Sequence, residues 1–359
     1  MRKSKIMIML CAAMLTATAS AQQTKVLTAD KHNEYGMVYS LPKTAVTYEV
    51  TARHTVRAAG PYWQYAKKYL GTDDVIREDA ETWEIVSVTA TSHGVADPEK
   101  EYLMQLKPGA TTYIGVAADG MLLSINREPA PVPPVTAYRP SAPLPKPDVR
   151  GYLQYVNEDF LSSQSSAKQA QLMQESLLEV RDAKLALTRG TAETMPTDGK
   201  QLELMLKSLS EQEKALTEAF TGVEVSETVT RKFTVTPEEE GSVILARVSD
   251  FAGFCEADDL SGWPLTLNVE ITEEPQIPVN EKGEEKRLPK DAVVYSLPAT
   301  VTLTLTLKDD EIDRRTIQMA QFGATFGLDP KLFTDKKAPS CALFDPATGA
   351  LRSLSEAGE

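Results

Sequence analysis

One five-residue word occurs twice in this chain, and it constrains the fold more than any other feature. Val38-Tyr39-Ser40-Leu41-Pro42 recurs as Val294-Tyr295-Ser296-Leu297-Pro298. Proline forces the residue before it into extended backbone, and the tyrosine brings apolar area together with a hydroxyl that needs a partner. Each copy leads into an alternating run. Val46, Tyr48, Val50, Ala52 and His54 alternate with Thr47, Glu49, Thr51 and Arg53, and Val301, Leu303 and Leu305 alternate with Thr302, Thr304 and Thr306. A period of two marks a half-buried strand.

Two further matches follow in the same order. Gln64-Tyr65-Ala66-x-x-Tyr69 matches Gln321-Phe322-Gly323-x-x-Phe326, and both segments are expected to form short helices, at 62–70 and 315–326. Gly120-Met-Leu-Leu-Ser-Ile then matches Gly349-Ala-Leu-Arg-Ser-Leu, each as the second strand of a hairpin. Asp119-Gly120 supplies the positive φ of a tight turn. Three matches in one order point to an internal duplication. Two copies of one folding unit is the plain meaning, and two equivalent ligand sites the sharper one.

Between the copies the pattern changes. Residues 128–150 carry Pro129, Pro131, Pro133, Pro134, Pro140, Pro143, Pro145 and Pro147, which deny backbone donors and describe an extended connector. Residues 151–222 read as a helical hairpin. Met173, Leu177, Val180 and Leu187 share one helical face before Gly190, and Asp198 caps a second helix with Leu202, Leu206, Leu209, Leu216 and Phe220 ahead of Gly222. The expectation is an α+β protein, with related β-rich units at 22–127 and 223–359 flanking an antiparallel helix pair.

The N-terminus reads as a secretory signal. Arg2, Lys3 and Lys5 precede an apolar run from Ile6 to Leu15, and Ala19-Ser20-Ala21 fits the small-x-small cleavage site. The run is too short to span a bilayer, which takes about 20 apolar residues, and Cys11 sits inside it, where a lipid anchor is not expected. No transmembrane segment is expected in the mature chain. The net charge is −13, and cleavage after Ala21 removes three basic residues and no acid. Such a surface repels phosphate backbones, so nucleic acid is a poor partner.

The two Tyr-Ser-Leu-Pro entries, the helix from Glu179 to Gly190, the loop Met195-Pro-x-Asp-Gly199 and the helix end from Glu211 to Gly222 resemble a family of exported Bacteroidetes proteins, catalogued as a domain of unknown function (4831). The resemblance covers nearly the whole mature chain. It implies a periplasmic or extracellular setting, and supplies no activity and no site residue.

No catalytic, cofactor-binding or metal residue is expected from the motifs of this chain. His32, His54 and His93 lack metal-ligand spacing, and His54 falls on the apolar side of its strand. Cys255 and Cys341 both sit in apolar contexts and read better as free thiols than as a bridge. The acidic groups Asp73-Asp74, Asp258-Asp259 and 309–313 read as solvated turns, the last leading from strand to helix. Trp63 is the one surface aromatic singled out for sugar stacking. The leading expectation is a non-enzymatic binding or structural protein of the cell envelope, meeting an unidentified envelope protein or glycan and holding no cofactor. The alternative is a glycan-acting hydrolase using a carboxylate pair, which requires two facing carboxylates in a cleft.

Overall fold

The computed structural model describes residues 36–105, 112–129, 144–283, 285, 286, 289, 291–335 and 338–356. The signal at 1–21, His32 and most of the proline-rich connector lie outside these residues. In chain order the elements are β1 (Gly36–Ala58), a 3₁₀ turn (Trp63–Tyr65) running into α1 (Ala66–Leu70), β2 (Ala80–Gln105), β3 (Ile114–Val116) and β4 (Leu122–Ile125). A second 3₁₀ turn (Gly151–Tyr155) precedes α2 (Glu158–Ser162), α3 (Ser166–Arg189) and α4 (Gly199–Thr221). The remainder is β5 (Val223–Val235), β6 (Gly241–Ser249), β7 (Gly253–Cys255), β8 (Trp263–Glu273), β9 (Val293–Leu307), β10 (Asp310–Leu328), α5 (Lys331–Thr334), β11 (Ser340–Phe344) and β12 (Leu351–Glu356). The protein is α+β.

Among the described residues three antiparallel sheets form, ordered β2-β1-β5, β10-β9-β8-β6-β7 and β12-β11-β4-β3. The first two face each other as a sandwich. Val46, Tyr48 and Val50 of β1 pack against Leu265 and Leu267 of β8 and Val301, Leu303 and Leu305 of β9. Each such aliphatic side chain contributes about 1.5–3 kcal/mol on leaving water. The intervening threonines face outward and pair across strands, as in Thr47 with Thr234 and Thr51 with Thr230, each at 2.8 Å. Strand β5 pairs with β1 along its length, so the N- and C-terminal β segments share this sandwich.

Both five-residue words sit near the start of long strands, and their surroundings match. Ser40 opposes Glu101 and Pro42 opposes Ala96, leaving 97–100 unpaired. Leu297 opposes Ala324 and Ala299 opposes Met319, leaving 320–323 unpaired. The break falls at the proline because proline has no donor for the ladder. Ser40 N–H donates to Gly120 O at 3.0 Å, and Ser296 N–H to Gly349 O at 3.1 Å. Both glycines have positive φ, 89° and 69°. Ahead of the breaks the strands leave the sandwich. Tyr39, Leu41, Val293 and Tyr295 pack on Leu122, Ile125, Ala342 and Phe344 of the third sheet, with Phe333 of α5. The Tyr39 hydroxyl donates to Val294 O at 3.0 Å and accepts from Val294 N–H at 2.8 Å, tying one word to the other.

One helix expected from the sequence is a strand. Residues 315–326 lie within β10, so the match between 64–69 and 321–326 joins a helix to a strand and has no structural counterpart. The unpaired residues 320–323 interrupt the two-residue period and imitate a helical one. Gly323 is small because a Cβ there would collide with the Leu297 carbonyl, a close backbone approach that excludes other residues. The acidic run 309–313 is therefore a hairpin turn and strand start, and no helix follows it. A register shift between Thr51 and Ala52 interrupts the two-residue alternation of β2. Ile85 and Val88 reach the core, while Ser87 and Thr89 face solvent.

The helix pair forms as read. Ser165 caps α3 by accepting from Lys168 N–H, Gly190 ends it at φ 71°, and Asp198 caps α4 by accepting from Gln201 N–H at 2.7 Å. Met173, Leu177, Leu216, Ala219 and Phe220 make its core with Tyr62, Tyr152 and Phe160. Further from the sheets Glu213 binds Lys184 at 3.0 Å and Arg181 at 2.9 Å, and these bonds hold its carboxyl below the usual range. A lowered carboxyl stabilises the fold at neutral pH and loses that effect as pH falls through its folded value. Glu213→Gln is expected to cost about 0.5–1 kcal/mol at neutral pH and nothing near about pH 2. Urea unfolding at both pH values checks this, and an equal cost at both would refute the ion-pair account. Glu218 opposes this trend, since burial raises its carboxyl.

Candidate functional site at one end of the sandwich

At the sandwich end where β6 turns into β7, Asp250 is met from both sheets, by the Lys308 side chain and by the Trp83 backbone N–H. The turn between β9 and β10 holds only Lys308 and Asp309, with φ 55° and 68°. Two positive values make a primed hairpin turn, which normally takes Asn-Gly because left-handed backbone costs other residues about 1–2 kcal/mol each. The cost is matched by what Lys308 reaches. Its ammonium binds both Asp250 carboxylate oxygens, at 2.5 and 2.7 Å, and lies 5.8 Å from the centroid of the Trp263 ring.

Trp263 opens β8, opposite Val248 of β6. It has the inward parity of Leu265 but lies beyond the core, and it stays 53% exposed. Phe251, next to Asp250, is 75% exposed, and Leu260 in the loop before Trp263 is 81% exposed. That loop is pinned by Arg247, which donates to Ala257 O and Gly262 O at 3.0 Å each. The carboxyl of Asp259 is held below its ordinary range by the Ser261 backbone N–H, at 2.9 Å.

The other sheet closes the same end. Trp83 N–H donates to Asp250 O at 2.9 Å. The indole lies against Gly253, where a Cβ would meet the ring at 2.7 Å. Its other contact is His54, stacked at 4.1 Å and 9°. The imidazole is bracketed by carboxylates, with Nε2 2.8 Å from Glu81 and Nδ1 3.3 Å from Glu227. The ring fills the space between Glu81 and Glu227, so no sugar enters between this pair. The chain of contacts runs from Glu227 through His54, Trp83 and Asp250 to Lys308 and Trp263.

The other residues singled out from the sequence lie apart from this cluster or play local roles. His93 pairs with Ala45 within the β1–β2 ladder. Asp73 binds Lys67 at 2.8 Å. Asp313 forms a two-bond pair with Arg315, which in turn donates to Ala90 O at 2.9 Å and seals the open flank between β10 and β2. Trp63 sits beside Arg77, 5.9 Å from its ring. Both thiols are unbridged, with Cys255 bonding Gly253 O and Cys341 bonding Asn126 O. Among the described residues no group of three or more His, Cys, Asp or Glu side chains is placed to hold a metal ion. Among those residues, too, no helix is long and apolar enough to cross a membrane. Two shallow depressions of about 330 and 370 Å³ lie elsewhere, on the α3–α4 pair and beside Asn126.

Sequence reasoning missed Trp263, Phe251 and Lys308. The available signal was a two-residue gap at 308–309 between alternating strands, which read as a strand-to-helix turn. The family model for a domain of unknown function, DUF4831, matches residues 35–352. The chain belongs to the DUF4831 family. No curated protein and no solved structure matches it.

Proposed function

We propose that this DUF4831 chain is an exported cell-envelope protein that works by binding, without a catalytic centre, and that the Trp263 end of the sandwich is its contact face. Export is supported by the three-part signal at 1–21 with cleavage after Ala21. The Bacteroidetes setting, periplasmic or extracellular, rests on the resemblance carried by the two Tyr-Ser-Leu-Pro entries and the helix pair. The same reading takes the β1–β2 and β9–β10 hairpins as copies of one ancestral unit. Their matched register breaks and serine-to-glycine bonds support it.

One observation carries the binding reading. A large ring stays half-exposed on a rigid strand, while two non-glycine residues keep left-handed backbone to hold a lysine beside it. Backbone strain of this kind persists where the surroundings enforce it, and it concentrates at functional sites. Exposed apolar side chains grouped at one end mark an interaction surface. The partner is an envelope protein or a glycan.

The purified chain is expected to sediment with envelopes from the cells that encode it. Trp263→Ala should reduce the bound fraction at least about ten-fold, the loss of roughly 1.4 kcal/mol at an aromatic anchor, and Trp63→Ala should leave it unchanged. Failure of the unmodified chain to sediment, or equal binding by Trp263→Ala, refutes the reading. Turnover of a glycan in a hydrolase screen would favour the carboxylate-pair alternative.

A further inference from the structure

We infer that the Trp263 end takes a carbohydrate, specifically a pyranose ring of a neutral glycan; this rests on the reading of that end as the contact face. A sugar ring has two chemical aspects, and the site presents the complement of each. Its C–H groups carry partial positive charge and favour the negative face of an aromatic ring. Trp263 offers such a face on the first residue of a strand, where the backbone is held by pairing with β6. Its vicinal hydroxyls both donate and accept, and they call for a fixed acceptor beside a fixed donor. Asp250 and Lys308 supply that pair on one side of the indole, the ammonium 5.8 Å from the ring centroid, locked together by two bonds of 2.5 and 2.7 Å.

The rigidity is built in. Asp250 is held from the other sheet by Trp83 N–H, and Lys308 by a turn with φ values of 55° and 68°. A pre-formed polar pair loses little freedom on binding. Phe251, next to Asp250, and Leu260, in the loop before Trp263, add exposed apolar side chains to the segments that carry this end. A peptide partner would use a sheet edge or an apolar groove, and the net charge of −13 disfavours nucleic acid and anionic lipid.

The test is isothermal titration of the purified chain with hexasaccharides of β-1,4-glucose, α-1,4-glucose, β-1,4-xylose and β-1,4-N-acetylglucosamine. At least one is expected to bind, with Trp263→Ala weakening it at least about ten-fold and Trp263→Phe far less. Asp309→Gly relieves strain while keeping Lys308, so its Tm should rise with binding intact. Lys308→Gly relieves strain and removes the donor, so its Tm should hold or rise while binding falls. These two variants separate a binding role from a folding defect. Absence of binding to every hexasaccharide, or unchanged binding by Trp263→Ala, overturns the proposal. Envelope sedimentation after periodate cleavage of the diols distinguishes the two readings. If it persists yet still depends on Trp263, the contact face stands and the carbohydrate assignment falls.

Discussion

Phe220→Ala is expected to loosen the helix pair from the 62–70 segment and to cost about 3–5 kcal/mol. Phe220 is fully buried in the last turn of α4, with ring centroids 6.1 Å from Tyr62 and 6.4 Å from Tyr69. The alanine leaves a cavity that the surroundings refill poorly. Tyr62 N–H and Ile76 N–H hold the adjoining backbone by bonding Ala219 O and Thr221 O, so the turn stays anchored while its packing is lost. Hydrogen exchange should show α3 and α4 amides opening early, with β9 amides near Leu303 still protected. Equal loss of protection in helices and sheets would refute local release.

Thr44→Val should destabilise by about 2–4 kcal/mol by leaving the buried Ala320 N–H and the part-buried Ala347 carbonyl without this partner. Thr44 sits just past the break in β1, fully buried. Its hydroxyl donates to Ala347 O at 2.9 Å and accepts from Ala320 N–H at 3.0 Å. Its backbone exchanges two bonds with the Gln321 side chain, whose amide also donates to Pro237 O. Valine keeps the shape and loses the hydroxyl, so packing is nearly unchanged and the deficit is polar. Thr44→Ser keeps the hydroxyl and should lose only about 1 kcal/mol for the missing methyl. Urea midpoints for the three proteins decide the matter; a valine variant as stable as the serine one refutes the polar account.

Some of this fold was readable because the causes are local. Gly190, Asp198 and Gly222 mark the end of one long helix and both ends of the other through a cap and positive-φ glycines. Thr302, Thr304 and Thr306 reveal β9 because alternate residues must face opposite ways. Segment 315–326 misled for a physical reason. Its register break removes the alternation, and Gly323 is set by the Leu297 carbonyl, a neighbour that no local pattern reveals. The candidate site was illegible for a similar reason. Trp83, Asp250, Trp263 and Lys308 come from β2, the β6–β7 turn, β8 and the β9–β10 turn, and each alone is an ordinary residue.

The amino-acid order by itself determined the two long helices with their ends and the strands of unbroken alternation, β9 above all, since these follow from backbone sterics and side-chain period. Tertiary structure alone decided that β5 lies beside β1, that Tyr39 bonds Val294, and that Lys308 meets Asp250 beneath an exposed indole. Such pairings are chosen by closing distant sheets over a shared core, and the choice depends on the sum of many contacts, none of them visible in any short stretch of chain.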